Sequence, residues 1–189
     1  MSLLLIRHGE TPSNAARVVQ LPDAPLSARG EAQADRLADR LGTHGVGRIL
    51  SSDLRRAAQT AERLQEATGV PLDWEPLLQE RNFGEIRGTA YSELPDIFAP
   101  DYEPPGGETW AVFHRRVDAA WVRVCKLAES VEGRLAVVTH GLVCHALLTR
   151  HLTHESGDAS VSLFDNTSVT EVAATAPWRV TRLNCTEHL

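Results

Sequence analysis

The sequence predicts an α/β fold: a three-layer α/β/α sandwich with a mostly parallel central sheet and helices on both faces. Three observations lead there. Short apolar runs suited to strands buried on both sides recur along the chain, Leu3 to Ile6 first among them. Amphipathic stretches of helical length separate those runs. Gly and Pro punctuate the junctions, as at Gly42, Gly69 and Pro71.

The elements follow in order. Residues 3–7 read as the first strand. Ser27 is placed to N-cap a helix that runs to Leu41, with Gly42 as its stop. A second strand covers 47–51. Leu54 to Ala67 reads as a helix ended by Gly69 and Pro71, and a third strand follows at 71–75. The longest helix runs from Glu108 to about Ser130, with Trp110, Phe113, Val117, Trp121 and Val124 on one face. A fourth strand at 134–139 leads into a helix from Gly141 to Leu152. In the tail, 167–173 and 178–184 alternate Val and Thr and read as two strands able to form a hairpin. Residues 1–189 are expected to form one domain. Within it, about 82–107 is rich in Pro and acid and reads as a lid or specificity segment.

At 189 residues the chain has room for a substantial core, and its 42% apolar and 23% charged residues are ordinary for a globular protein. A net charge of −6 argues against a nucleic-acid or membrane surface. No apolar run approaches membrane-spanning length, and the first one is too short for a secretory signal. Three cysteines, Cys125, Cys144 and Cys185, are odd in number and widely spaced, which suits a reducing cytoplasm better than a disulfide framework. Self-association is left open.

The chemistry gathers in five ordered motifs. Arg7-His8-Gly9-Glu10 sits where the first strand ends, the place where open α/β folds bind ligands. An Arg there fits a tetrahedral oxyanion and a His can be a nucleophile. Downstream come Leu26 to Ala34, Ser51 to Ala61, Leu78 to Glu85, and Val137-Val138-Thr139-His140-Gly141. Taken with this spacing, nearly the whole chain resembles the histidine phosphatase superfamily, the phosphoglycerate-mutase-like proteins.

The resemblance implies a metal-independent phosphatase that works on a small phosphomonoester through a phosphohistidine, with no cofactor. His8 is the implied nucleophile and must be neutral to attack. Arg7 and Arg56 are the implied clamps on the phosphoryl oxygens; the resemblance selects Arg56 over Arg55, because the family's Arg directly precedes the Ala at 57. His140 would donate to a phosphoryl oxygen, with Gly141 beside it among the binding positions. Asn14 matches a further phosphoryl contact. Glu80 matches the family's proton donor, a role that needs a raised pKa. If Glu80 fails in that role, Asp53, Glu10 and Glu108 come next, Glu108 first.

Blander readings stand beside these. Arg55 reads as a surface charge, Gly30 and Gln33 as helix-packing residues, and Trp110 and Trp121 as core. His140, Cys144 and His145, with His151 and His154, are spaced loosely like metal ligands. A structural zinc site usually shows paired short spacers, however, and only one weak pair is present, while Cys144 lies in an apolar helix. Within the superfamily the alternative is a phosphoglycerate-mutase-type transfer. The compact, Lys-free segment after Glu80 favours hydrolysis. Outside enzymes, the alternative is a phospho-ligand binding module, for which Glu80 would be superfluous. From Asn82 to Glu108 six acids face one Arg, Arg87. That count predicts a preference for monophosphates with a neutral body, unless Arg81 or Arg87 turns inward.

Overall fold

A computed structural model describes residues 2–154, 164–173 and 175–189. Along the chain lie β1 (Ser2–Arg7), α1 (Pro12–Ala16), α2 (Ala28–Leu41), β2 (Val46–Ser51), α3 (Arg55–Thr68), β3 (Leu72–Trp74), α4 (Trp110–Ser130), β4 (Arg134–Thr139), α5 (Gly141–His151), β5 (Val169–Ala173) and β6 (Val180–Cys185). The six strands form one sheet in the order β3-β2-β4-β1-β5-β6. Pairings among β3, β2, β4 and β1 are parallel. β5 runs antiparallel to β1, and β6 antiparallel to β5, so the tail is the expected hairpin.

Side chains alternate across the pleat, so β1 feeds two cores. Leu3 and Leu5 join Phe113, Val117 and Val124 of α4 and Val143 and Leu147 of α5. Leu4 and Ile6 join Leu37 and Leu41 of α2 and Ala57, Ala61 and Leu64 of α3. Helices therefore cover both faces of a mostly parallel sheet, as the apolar runs predict. Trp121 is core; Trp110 is only half-buried and packs at the core's edge.

Local signals account for most helix ends. Ser27 accepts from Gly30 N at 3.0 Å and opens α2. Thr109 caps α4 by accepting from Val112 N, so that helix starts two residues later than Glu108. Gly69 ends α3 with φ at +68°, a left-handed cap that glycine adopts without strain. Gly42 ends α2 differently, in right-handed geometry at φ −53°. The short helix α1 was not predicted; at five residues it is held by a reciprocal capping box between Thr11 and Asn14 rather than by an apolar stripe. Between β3 and α4 the chain is irregular apart from single 3-10 turns at Pro76–Leu78, Gly84–Ile86 and Tyr91–Glu93. Part of that segment has a small core of its own, where Phe83 and Ile97 pack with Val19.

Candidate active site

The sheet's parallel register builds the centre of the site. Arg7 pairs with Thr139, and Ser51 with Val138. The next residues of β1, β4 and β2 are His8, His140 and Ser52, so three side chains emerge side by side past three neighbouring strand ends. The imidazole centroids of His8 and His140 are 5.1 Å apart. Both rings are fully buried.

Hydrogen bonds set which ring nitrogens carry protons. His8 Nδ1 lies 2.6 Å from Gly9 O. A carbonyl only accepts, so Nδ1 holds the proton and Nε2 keeps its lone pair. His140 Nε2 lies 2.8 Å from Ser52 Oγ, while its Nδ1 is buried without a partner among the described residues. Ser52 Oγ already accepts from Leu54 N. With His140 Nε2 accepting the Ser52 hydroxyl proton, His140 Nδ1–H becomes a free donor. The reverse tautomer would leave the hydroxyl proton without an acceptor and turn a lone pair into the site. Burial holds both imidazoles well below the usual histidine range, and the Arg56 and Arg7 charges push in the same direction. Both rings are neutral at physiological pH.

Two guanidiniums flank them. Arg56, in the first turn of α3, is 2% exposed and donates to Leu21 O at 3.2 Å. Burial lowers its pKa to about 10. Arg7 donates to Phe164 O. Arg7 Nε and Arg56 Nε are both buried without partners among the described residues. Buried donors are ordinarily satisfied. Arg7 Nε and Arg56 Nε, on two residues that line one cleft, and His140 Nδ1, on a ring that feels both their charges, are three unsatisfied donors that suit an anion with several acceptor oxygens.

Glu80 follows the 3-10 turn after β3 and lines the same cleft, whose volume is about 430 Å3. Its carboxyl accepts from Arg81 N at 3.0 Å and Leu142 N at 3.2 Å. Burial nonetheless raises its pKa above the usual carboxylate range; those bonds and the two Arg charges oppose the rise without cancelling it. Asn14 and Gly141 also line the cleft. Asn14 Oδ1 is occupied by Thr11 N and Asn166 Nδ2, so its amide nitrogen is what it has to offer a ligand. A methyl group at Gly141 would sit 3.6 Å from Arg7 Nε, which puts this backbone against the clamp. Six of the seven residues singled out as site candidates line the cleft: Arg7, His8, Asn14, Arg56, Glu80 and Gly141. The seventh, His140, is fully buried behind them, its ring 5.1 Å from that of His8.

The reserve acids fare differently. Asp53 is exposed and accepts from Gln79. Glu10 accepts from Ser27 Oγ. Glu108 lines the cleft but is bound by two nitrogens of Arg116, each at 2.8 Å, and by Asn82 N. Burial pushes its carboxyl up, yet Arg116 prevails and holds it below the usual range. Arg55 is exposed. Among the described residues, no three His, Cys, Asp or Glu side chains are grouped to hold a metal. Cys144 is instead fully buried packing.

Supporting residues hold these groups in place. Gly9 N donates to Thr60 Oγ1 and Glu10 N to Gln33 Oε1. A Cβ on Gly30 would lie 1.9 Å from Glu10 O, so only glycine lets the loop lie against α2. Arg116 donates to Leu77 O, Gln79 O and Glu80 O, fixing the Glu80 loop from α4. Arg81, 1% exposed, donates to the carbonyls of Ile97, Tyr102 and Glu108 and lies 3.8 Å from the Trp110 ring. Asn166 Nδ2 donates to His8 O at 3.0 Å. Sequence reasoning missed Ser52, Thr60, Arg116 and Asn166 as contributors. Ser52 and Thr60 stand inside the quoted Ser51-to-Ala61 motif; Arg116 reads as an ordinary helix charge, and Asn166 as a loop residue.

Comparison with known proteins bears on the family and the fold. A family model of the histidine phosphatase superfamily (branch 1) matches residues 3–186. A protein named probable phosphoglycerate mutase GpmB, from Enterobacter sp. (strain 638), is 34% identical over 160 residues, 79% of this chain and 74% of that protein. Its namesake from Yersinia enterocolitica is 33% identical over 164 residues, with the same coverage. Among solved structures, a mycobacterial glucosyl-3-phosphoglycerate phosphatase in complex with VO3 superposes with a TM-score of 0.82 at 26% identity, covering 97% of this chain and 99% of that one. An Escherichia coli protein described as a putative alpha-ribazole-5'-P phosphatase gives 0.82 at 26% identity, covering 98% and 97%.

Proposed function

The chain belongs to the histidine phosphatase superfamily, and we propose that within it the protein hydrolyses small phosphomonoesters through a phosphohistidine on His8, without a metal. One observation carries this reading: the free donors Arg7 Nε, Arg56 Nε and His140 Nδ1 belong to the two Arg whose charges act on His8 and the ring 5.1 Å from it, and His8 is neutral with its Nε2 lone pair available. In the first step Nε2 bonds to phosphorus as the ester P–O bond breaks. Arg7, Arg56 and His140 take the charge on the phosphoryl oxygens. Glu80, whose pKa is raised by burial, gives its proton to the leaving oxygen. Water then attacks phosphorus, the P–N bond breaks, and Glu80 takes the water's proton back. Arg81, Arg116 and Asn166 position these groups; the segment over about 82–107 supplies one wall of the cleft and is the proposed determinant of specificity.

Labelled substrate quenched without acid should trap a phosphoramidate on His8, labile to acid and stable to alkali, and His8→Ala should abolish it. Label on Ser, Asp or Cys would overturn the mechanism. Mutase-type transfer is the second reading, favoured by the names of the relatives at 34% and 33% identity. The compact segment after Glu80 favours hydrolysis. Free phosphate released from a phosphomonoester panel supports it; transfer on phosphoglycerate without release supports the mutase. No helix among the described residues is long and apolar enough to cross a membrane. A cytoplasmic location is proposed on the three unpaired cysteines.

A further inference from the structure

Six acids against one Arg between Asn82 and Glu108 predict a cleft that repels a second negative charge. The fold arranges those charges otherwise. Glu85, Glu93, Asp96, Asp101 and Glu103 are exposed, and none lines the cleft. Glu108 does line it, but its charge is matched by Arg116 in a two-nitrogen pair. Arg87 also lines the cleft. It is half-buried, and its guanidinium makes no hydrogen bond or close ion pair among the described residues, although the Glu108 charge acts on it. Its charge reaches Arg56 in the phosphoryl pocket.

The count of charges then decides the ligand. Arg7 and Arg56 together match one phosphoryl dianion. Arg81 also lines the cleft, but its guanidinium is spent on three carbonyls. Arg87 is left over, partly stripped of water and facing only the Glu108 charge that Arg116 already engages, an unfavourable state that a bound anion relieves. Apolar side chains of Phe83, Tyr91, Phe98 and Leu142 share the cleft with it, and Phe98 is 47% exposed at the surface. We infer that Arg87 binds a second anionic group of the substrate, a carboxylate or a second phosphate, while an uncharged middle portion lies against these apolar side chains. The inference rests on the phosphatase reading and narrows its substrate class. It replaces the preference for a neutral body, whose premise was a segment charge that the cleft does not carry.

Three unreactive analogues test it on the intact protein by calorimetry: benzylphosphonates carrying a para-carboxylate, a para-phosphonate or a neutral para-carboxamide. Either anion should bind about tenfold more tightly than the amide. That ratio should fall to about one in Arg87→Gln and recover in part in Arg87→Lys. The order of carboxylate and phosphonate identifies which anion the subsite takes. An anion-to-amide ratio under about twofold in the wild type, or one unchanged in Arg87→Gln, overturns the inference. Hydrolysis is followed separately with para-carboxyphenyl phosphate. Failure to release phosphate from it would sink the phosphatase reading while leaving the binding ratios to judge Arg87.

Discussion

At the residue scale the site is a set of protonation states held by neighbours. His8 suits the proposed nucleophile role because burial and two Arg charges keep it neutral and Gly9 O fixes the tautomer. Glu80 suits the proposed acid role because burial raises its pKa against the opposing pull of its hydrogen bonds and the two Arg charges. Glu80→Gln should therefore cost about 10²–10⁴ in rate for alkyl phosphates and far less for a nitrophenyl phosphate, whose leaving group needs little protonation. Equal losses on both would remove Glu80 from the acid role. The same substitution should erase the alkaline fall of kcat/KM, since that limb belongs to loss of the Glu80 proton. Ser52 acts one step further out, through His140. Ser52→Ala frees the ring to exchange tautomers and should lower kcat by about 10–100-fold. Nitrogen-15 shifts of the His140 ring check the cause: Nδ1 protonated in the wild type, mixed in the variant. A protonated Nε2 in the wild type would refute the assignment.

At the element scale, parallel register does the assembling: His8, Ser52 and His140 meet because each is the first residue past a strand end in adjacent strands. Only part of this was legible beforehand: the strand ends, with His8 and His140 just past two of them. A strand buried on both faces shows as an unbroken apolar run, and a chemical residue just past it shows by contrast, as at Leu3 to His8. The pairing order was not legible, because neighbouring strands come from distant sequence, nor was the contact of Asn166 with His8. Arg81 and Arg116 were hidden for a related reason: nothing local tells a guanidinium that satisfies three carbonyls from one that faces water. Gly30 shows the opposite case, a packing residue visible in its motif whose importance lies in the loop it meets. Gly30→Ala forces Glu10 away by more than a van der Waals contact allows. It should cost about 1–3 kcal/mol in stability and lower activity through the displaced His8 loop. Denaturant midpoints and kcat/KM measured together check this. Wild-type values in both would show that the contact does not set the loop.

For the whole molecule, the two buried imidazoles couple the site to folding. A net charge of −6 lies mostly outside a cleft that holds Arg7, Arg56 and Arg87, so attraction of phosphate is local. The unpaired donors of the cleft lower stability, a cost that a bound anion offsets. The pH dependence follows from signs. His8 and His140 are held well below their usual pKa in the fold, whereas in the unfolded chain they titrate near ~6.5. Just below that pH the unfolded chain binds protons that the folded chain refuses, so stability rises with pH there, by up to ~1.4 kcal/mol per unit for each ring. Half-buried His188, lowered by burial to about 4, adds the same sign. Glu80 has the opposite sign: its raised pKa means the fold keeps a proton that the unfolded chain has released, so its contribution falls as pH rises through that interval. His140→Asn removes one term and leaves the rest. Its unfolding free energy should therefore fall less steeply than the wild type's as pH drops below about 6.5, by up to ~1.4 kcal/mol per unit. Denaturant titrations across that range check it, in buffers without phosphate, which would bind and stabilise the fold. Identical slopes in the two proteins would mean that His140 takes up its proton in the folded state at the same pH, which its neutral, donor-bearing role in the site forbids.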